Sequence, residues 1–116
     1  MSAVVEANLE RVFNERDAGA RRRAIEELYT ADAVMYEVEA VYTGPDAIAD
    51  AVTHLLGVLP PALRFTPVAA ALVNHGMQML RWRGELPDGT VIATGTDVVQ
   101  VENGRIRSIH VFLDPG

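Results

Sequence analysis

The sequence predicts an α+β protein whose helices lie on one face of a curved, largely antiparallel sheet. Three observations lead there. Apolar residues recur at helical spacing through the first 30 residues and again between Ile48 and Leu59. The pattern changes to strand-like alternation from Ala33 to Val41 and everywhere after Leu63. Finally, Asn74-His75-Gly76, Pro87-Asp88-Gly89 and Asn103-Gly104 divide the C-terminal half into long runs that pair as a meander. Asn-Gly between two alternating runs is the strongest short hairpin signal there is. The 116 residues (1–116) read as a single domain, without an internal repeat, linker or low-complexity segment.

The elements follow in order. Val5, Leu9, Val12 and Phe13 form the apolar stripe of a first helix, with Glu6, Glu10, Arg11 and Glu15 on its other face. Asp17-Ala18-Gly19 breaks it, and Ala24, Ile25 and Leu28 mark a second, shorter helix. The run Arg21-Arg22-Arg23 resembles a phosphate patch, but Glu26 and Glu27 lie at helical pairing distance, so it reads as a solvated, ion-paired face. A strand spans Ala33 to Val41. Thr43 is the expected N-cap of a third helix, with Pro45 in its first turn and Asp46 at the capping-box position. Ile48, Val52, Leu55, Leu56 and Leu59 form its buried stripe, and Pro60-Pro61 stops it. The remaining strands are Arg64–Val73, Met77–Leu86, Thr90–Glu102 and Arg105–Asp114.

Composition narrows the chemistry. The chain is 49% hydrophobic and 22% charged, the balance of an ordinary globular protein. It has no cysteine, so disulfides, thiol nucleophiles and thiolate metal sites are excluded. All ten basic residues are arginine, which removes a Schiff-base or P-loop lysine. The serines, Ser2 and Ser108, stand outside any G-x-S-x-G setting. A net charge of −6 opposes nucleic-acid binding. No segment approaches the ~20 apolar residues of a membrane span, and Met1–Glu10 lacks the pattern of a secretory signal, so a cytoplasmic location is expected. Acid–base chemistry, non-covalent binding and a structural role survive.

Three stretches carry a family resemblance. Leu28-Tyr29-Thr30-Ala31-Asp32-Ala33-Val34, Tyr42-Thr43-Gly44-Pro45-Asp46-Ala47-Ile48 and Asp97 through Ile106 resemble motifs of the nuclear-transport-factor-2-like superfamily, including its SnoaL-like and ketosteroid-isomerase-like branches. The resemblance covers nearly the whole chain in the same element order. It implies a cystatin-like cone: three N-terminal helices on a strongly curved, mixed but mainly antiparallel sheet, with one end open as a pocket. The superfamily contains isomerases, polyketide cyclases, a dehydratase and an epoxide hydrolase, and also non-catalytic binding proteins, so fold alone does not assign activity.

Strand parity selects the candidates for chemistry. Met35, Glu37 and Glu39 share one face of their strand; Asp97, Val99 and Val101 share a face of another. A carboxylate in line with two valines costs several kcal/mol to bury unless it is paired or neutralised, so Asp97 faces a cavity or has a dedicated partner such as Tyr29. By resemblance, Asp97 stands where steroid isomerases carry a neutral aspartic acid that hydrogen-bonds the oxyanion, and Glu37 where they carry the proton-moving aspartate. Phe13 replaces their oxyanion tyrosine. Phe13, Met35, Leu56, Leu80, Trp82 and Val99 are the expected ligand-contacting walls, with Trp82 open to a second role as core packing.

Other templates fit less of the chain. Asp114 matches one acid of the epoxide-hydrolase triad, but Arg81 and Met79 occupy the other two places. His54, His75 and His110 lack metal-ligand spacing, so no metal is expected. His110 shares parity with Ile106 and Phe112, as an acid–base group or as part of a subunit interface. Met77, Met79, Arg81 and Arg83 lie opposite Leu80, Trp82 and Gly84 and suit a homodimer face. The expected activity is cofactor-independent proton transfer of isomerase, cyclase or lyase type on a small apolar or aromatic carbonyl compound. The alternative is a non-catalytic binding or assembly module of the same fold.

Overall fold

In the computed structural model, which describes residues 3–115, helix α1 (Val4–Asn8) continues directly into a π-helical segment (Leu9–Phe13). The Asn14 amide closes that segment on the Leu9 carbonyl at 3.0 Å, and Leu9, Val12 and Phe13 all turn inward. Asn14 then acts as a substitute strand residue: its side-chain amide donates to the Phe65 carbonyl and accepts from the Phe65 amide, each at 2.7 Å. The chain breaks just before α2 (Ala18–Leu28), where Asp17 is the N-cap and accepts from the Ala20 amide at 2.8 Å.

The arginine run does not stay together in solvent. Arg21 is buried and donates to the Thr53 hydroxyl at 2.9 Å and to the Glu15 carbonyl. Arg22 pairs with Glu26 and Asp46, which ties α2 to the start of α3, while Arg23 is exposed. Glu27 pairs with Arg11 instead.

The first strand starts earlier and ends earlier than its alternation suggests. Strand β1 (Tyr29–Tyr36) turns through residues 37–40, closed by the Glu37 amide on the Ala40 carbonyl at 2.9 Å, into a short β2 (Val41–Thr43). Thr43 is therefore a strand residue. Gly44 caps α3 (Pro45–Val58), because the strand-to-helix reversal needs a φ of +89° that glycine adopts without strain.

The long strand expected from Arg64 to Val73 is two, β3 (Arg64–Pro67) and β4 (Leu72–Asn74), both paired with β5 (Met77–Glu85). Pro67 faces Trp82 and Leu72 faces Met79, so residues 68–71 oppose only Leu80 and Arg81 and must bow out of the ladder. Strands β6 (Val91–Glu102) and β7 (Arg105–Leu113) complete the meander. The sheet order is β2-β1-β7-β6-β5-β3, parallel between β1 and β7 and antiparallel elsewhere, and the sheet is open.

Register also moves His110. Val101 pairs with Ile106 but Gln100 pairs with Ser108, so Arg107 is an extra residue on β7. This bulge turns both Ile106 and Ile109 into the core and His110 to the outer face. The parity that joins His110 to Ile106 is thereby broken, and His110 instead stacks on Tyr36, with ring centroids 4.4 Å apart. The helices cover the inner face, where Val5, Val12, Ile25, Ile48 and Val52 meet Met35, Val99, Ile106 and Ile109.

Candidate functional site

The site begins with two glycines inside strands. Trp82 is the cross-strand partner of Gly95, and Phe65 of Gly84. A β-carbon on Gly95 would lie 2.5 Å from a Trp82 ring atom and overlap the Phe112 carbonyl oxygen; one on Gly84 would lie 3.3 Å from the Phe65 ring. Each ring thus rests on bare backbone. Phe65 meets Trp82 edge-on at 5.4 Å, and Phe13 meets Phe65 edge-on at 6.1 Å, so three aromatic rings form one connected wall. In this position the Trp82 indole N–H donates to Asp97 Oδ1 at 2.9 Å.

That wall bounds a cavity of about 650 Å³. Leu9 and Phe13 from the π-helical segment, Leu55 from α3, and Leu59 and Leu63 from the chain that follows it form the helical side. Across from them lie Phe65, Trp82, Val111 and Leu113. Three carboxylates, Asp97, Glu37 and Glu39, open into this apolar space, and no basic side chain lines it among the described residues.

Cross-sheet rows set the depth. Met35, Ile109 and Val99 form one row, fully buried at the closed end. Val111, Asp97 and Leu80 form the next, and Leu113, Gly95 and Trp82 the one nearer the mouth. Glu37 and Asp97 therefore reach one cavity, together with Phe13 and Trp82. Met35, Val99 and Leu80 do not line it: they are 0–1% exposed and packed beneath the helices. Leu56 also lies in the core. Leu55 faces the cavity from the last turn of α3 and Leu59 lines it from just past the helix end, whereas Leu56 is rotated with Val52 toward the interior.

The environment of the two central acids is unequal. Burial pushes the Asp97 carboxyl up to about 7; the Trp82 hydrogen bond opposes the rise and the Glu37 charge adds to it. Glu37 sits where β1 leaves the sheet, half-buried, and burial raises its pKa too. Tyr29 is not the partner of Asp97. Its hydroxyl donates to Asn8 Oδ1 at 2.7 Å, and burial together with the Asp97 charge holds the phenol protonated. The Asn8 side-chain N–H group is buried without a hydrogen-bond partner among the described residues.

The remaining candidates lie elsewhere. Asp114 accepts from the Thr94 hydroxyl at 2.6 Å at the surface. Arg81, Met79 and His110 are on the outer face. The sequence pattern does not mark Leu9, Leu55, Leu59, Leu63 or Phe65 as walls. A usable signal was present in Gly84 and Gly95, since an isolated glycine inside a strand marks close approach of another group.

Residues 5–109 match the model of the SnoaL-like domain. The chain belongs to the SnoaL-like domain family. A solved structure from Agrobacterium tumefaciens, described as a proposed isomerase of the SnoaL-like family, is similar to it with a TM-score of 0.88 at 26% identity, over 97% of this chain and 95% of that one. A proposed polyketide cyclase from Sinorhizobium meliloti shares the fold with a TM-score of 0.72 at 20% identity, over 93% and 92% of the two chains. A Methylobium petroleophilum protein of unknown function with a cystatin-like fold gives 0.73 at 18%, over 97% and 74%. No curated protein matches the chain. No helix among the described residues of this SnoaL-like domain is long and apolar enough to cross a membrane.

Two outcomes are expected. Gly95→Ala forces the indole off the strand, so it red-shifts the fluorescence of the single tryptophan and lowers stability by about 2 kcal/mol or more in a urea titration; an unchanged spectrum and midpoint contradict the packing account. Asp97→Asn tests the buried acid. Because the folded state holds the Asp97 proton up to about pH 7, against an ordinary value of 3.8, its contribution to stability is full below about pH 4 and is lost as pH rises to about 7. The asparagine variant, which keeps an acceptor for Trp82, should lack that decline and be more stable than the parent at about pH 8 in thermal unfolding. Parallel curves for the two proteins exclude a raised Asp97.

Proposed function

We propose that this SnoaL-like domain is a cofactor-independent acid–base enzyme of isomerase, cyclase or lyase type, acting on a small, largely apolar carbonyl compound in the cone. The observation that carries the reading is the convergence of Glu37 and Asp97 in one apolar cavity, with both carboxyls shifted upward by burial. Glu37, the more exposed of the two, takes a proton from the carbon next to the carbonyl. The electron pair of that C–H bond forms a carbon–carbon double bond as the carbonyl π pair moves onto oxygen. Asp97 in its protonated form donates a hydrogen bond to the developing enolate oxygen. In a substrate with a C=C bond beside the deprotonated carbon, return of the proton from Glu37 to the far carbon of that bond restores the carbonyl, moves the double bond into conjugation with it and completes an isomerisation, a balance that requires no oxidant or metal.

The Trp82 bond fits this role. It occupies Oδ1 of Asp97 and so directs the protonated Oδ2 toward the cavity. Phe13 lines the same space without a donor, so oxyanion stabilisation rests on Asp97. A second reading, a non-catalytic binding module, is supported by the same hydrogen bond, because a buried acid satisfied by tryptophan is also a structural device.

The reading includes a second copy of the chain on the outer sheet face. Tyr36, His110, Val98, Met79 and Leu72 align across five strands there, and Met77 and Phe112 flank them. A continuous row of this kind, apolar but for His110, suits an isologous contact. Light scattering should give twice the 12.6 kDa chain mass, reduced to one by Met79→Arg; a monomeric parent removes the dimer.

The catalytic reading is tested by deuterium exchange next to the carbonyl in a panel of apolar ketones, followed by NMR. Exchange by the parent and a loss of about a hundredfold or more in Glu37→Gln, with ligand affinity nearly intact, are expected. Full exchange in the variant rules out Glu37 as the base, and affinity without exchange in the parent favours the binding module.

A further inference from the structure

We propose that the cavity is selective by charge: it admits neutral and amine-bearing ligands, rejects acids, and uses Glu39 at its mouth to read a basic group distal to the carbonyl. The inference rests on the site reading above and adds the class of substrate.

The three carboxylates are graded by depth. Asp97 is 3% exposed, Glu37 is half-buried and Glu39 is exposed on the same 37–40 turn that borders the opening. Among the described residues, no arginine pairs with Glu37 or Glu39, and the one hydrogen bond to the Asp97 carboxyl falls on Oδ1, which leaves Oδ2 to the cavity. The arginine beside the helical wall is already committed. Arg16 donates to the carbonyls of Leu56, Pro60 and Leu63 at 3.0, 2.9 and 3.3 Å.

A ligand carboxylate or phosphate would therefore shed its water without finding a cation and would approach like charges in a space of low polarity. An ammonium group meets the opposite situation. Glu39 and Glu37 attract it along the entry path. With the carbonyl end at Asp97 and the reacting carbon at Glu37, the group that remains at the mouth is the distal one, next to Glu39.

The test uses three acetylnaphthalenes that differ only in a distal aminomethyl, hydroxymethyl or carboxyl group, with affinities read by calorimetry at neutral pH. The amine should bind about tenfold or more tighter than the acid, the alcohol should fall between them, and added salt should narrow the spread. Glu39→Gln should cut the amine-to-acid ratio about threefold, and Glu39→Arg should reverse the preference. Equal binding of acid and amine overturns the proposal, as does an unchanged ratio in both variants or failure of all three compounds to bind. Deuterium exchange in the hydroxymethyl ketone separates the two claims: binding with charge preference but no exchange sinks the enzyme and leaves the selectivity, whereas exchange without preference does the reverse.

Discussion

The hydrogen bond between the Trp82 indole and Asp97 is the contact on which the rest of the site depends. An isolated carboxyl group inside an apolar cone is costly, and the fold offers it neither an arginine nor the Tyr29 hydroxyl, which is turned to Asn8. What it has is one indole N–H, held in reach because Gly95 leaves room for the ring. A single neutral donor does not offset the loss of water, so Asp97 retains its proton to about pH 7. The same side chain that satisfies the acid also walls the cavity, and packing, protonation state and cavity shape are therefore set by one residue.

The two ends of the cone differ for a reason that the cross-sheet rows make explicit. At the closed end Met35, Ile109 and Val99 meet the helices in a dry core. One row further, an aspartic acid replaces an aliphatic residue, and the row beyond contains a glycine under a tryptophan. The row nearest the mouth leaves the Gly95 position empty beneath the Trp82 ring, while the π-helical segment and the end of α3 present Phe13, Leu55 and Leu59 across the gap. The sheet is open and its helices cover only the inner face, so the unfilled space becomes a pocket and not a buried void. Membership of the SnoaL-like family agrees with this arrangement, and the solved relatives show that the frame persists at identities of 18–26%.

Local pattern determined a great deal about this protein. Helical and strand periods, the three turn signals and the alternation of Leu80, Trp82 and Gly84 against Met79, Arg81 and Arg83 are properties of near neighbours, and the order of the helices, the β5–β6–β7 meander and the two faces of β5 follow from them. The absence of cysteine and lysine removed whole classes of chemistry without any structure. Parity also placed Asp97 on an inner face beside Val99.

Tertiary structure decided what depends on register and depth. A single extra residue, Arg107, turned His110 away from Ile106. A reversal at Gly44 made it the helix cap in place of Thr43, and burial of Arg21 split an arginine run whose spacing suggested one solvated face. Whether Leu55 or Leu56 faces the cavity, whether Tyr29 or Trp82 serves Asp97, and whether Met35 touches a ligand or only the core cannot be read from periodicity. Those choices turn on how far along the cone each row falls, and that distance is fixed by long-range pairing between strands, where a shift of one residue reverses every side chain it carries.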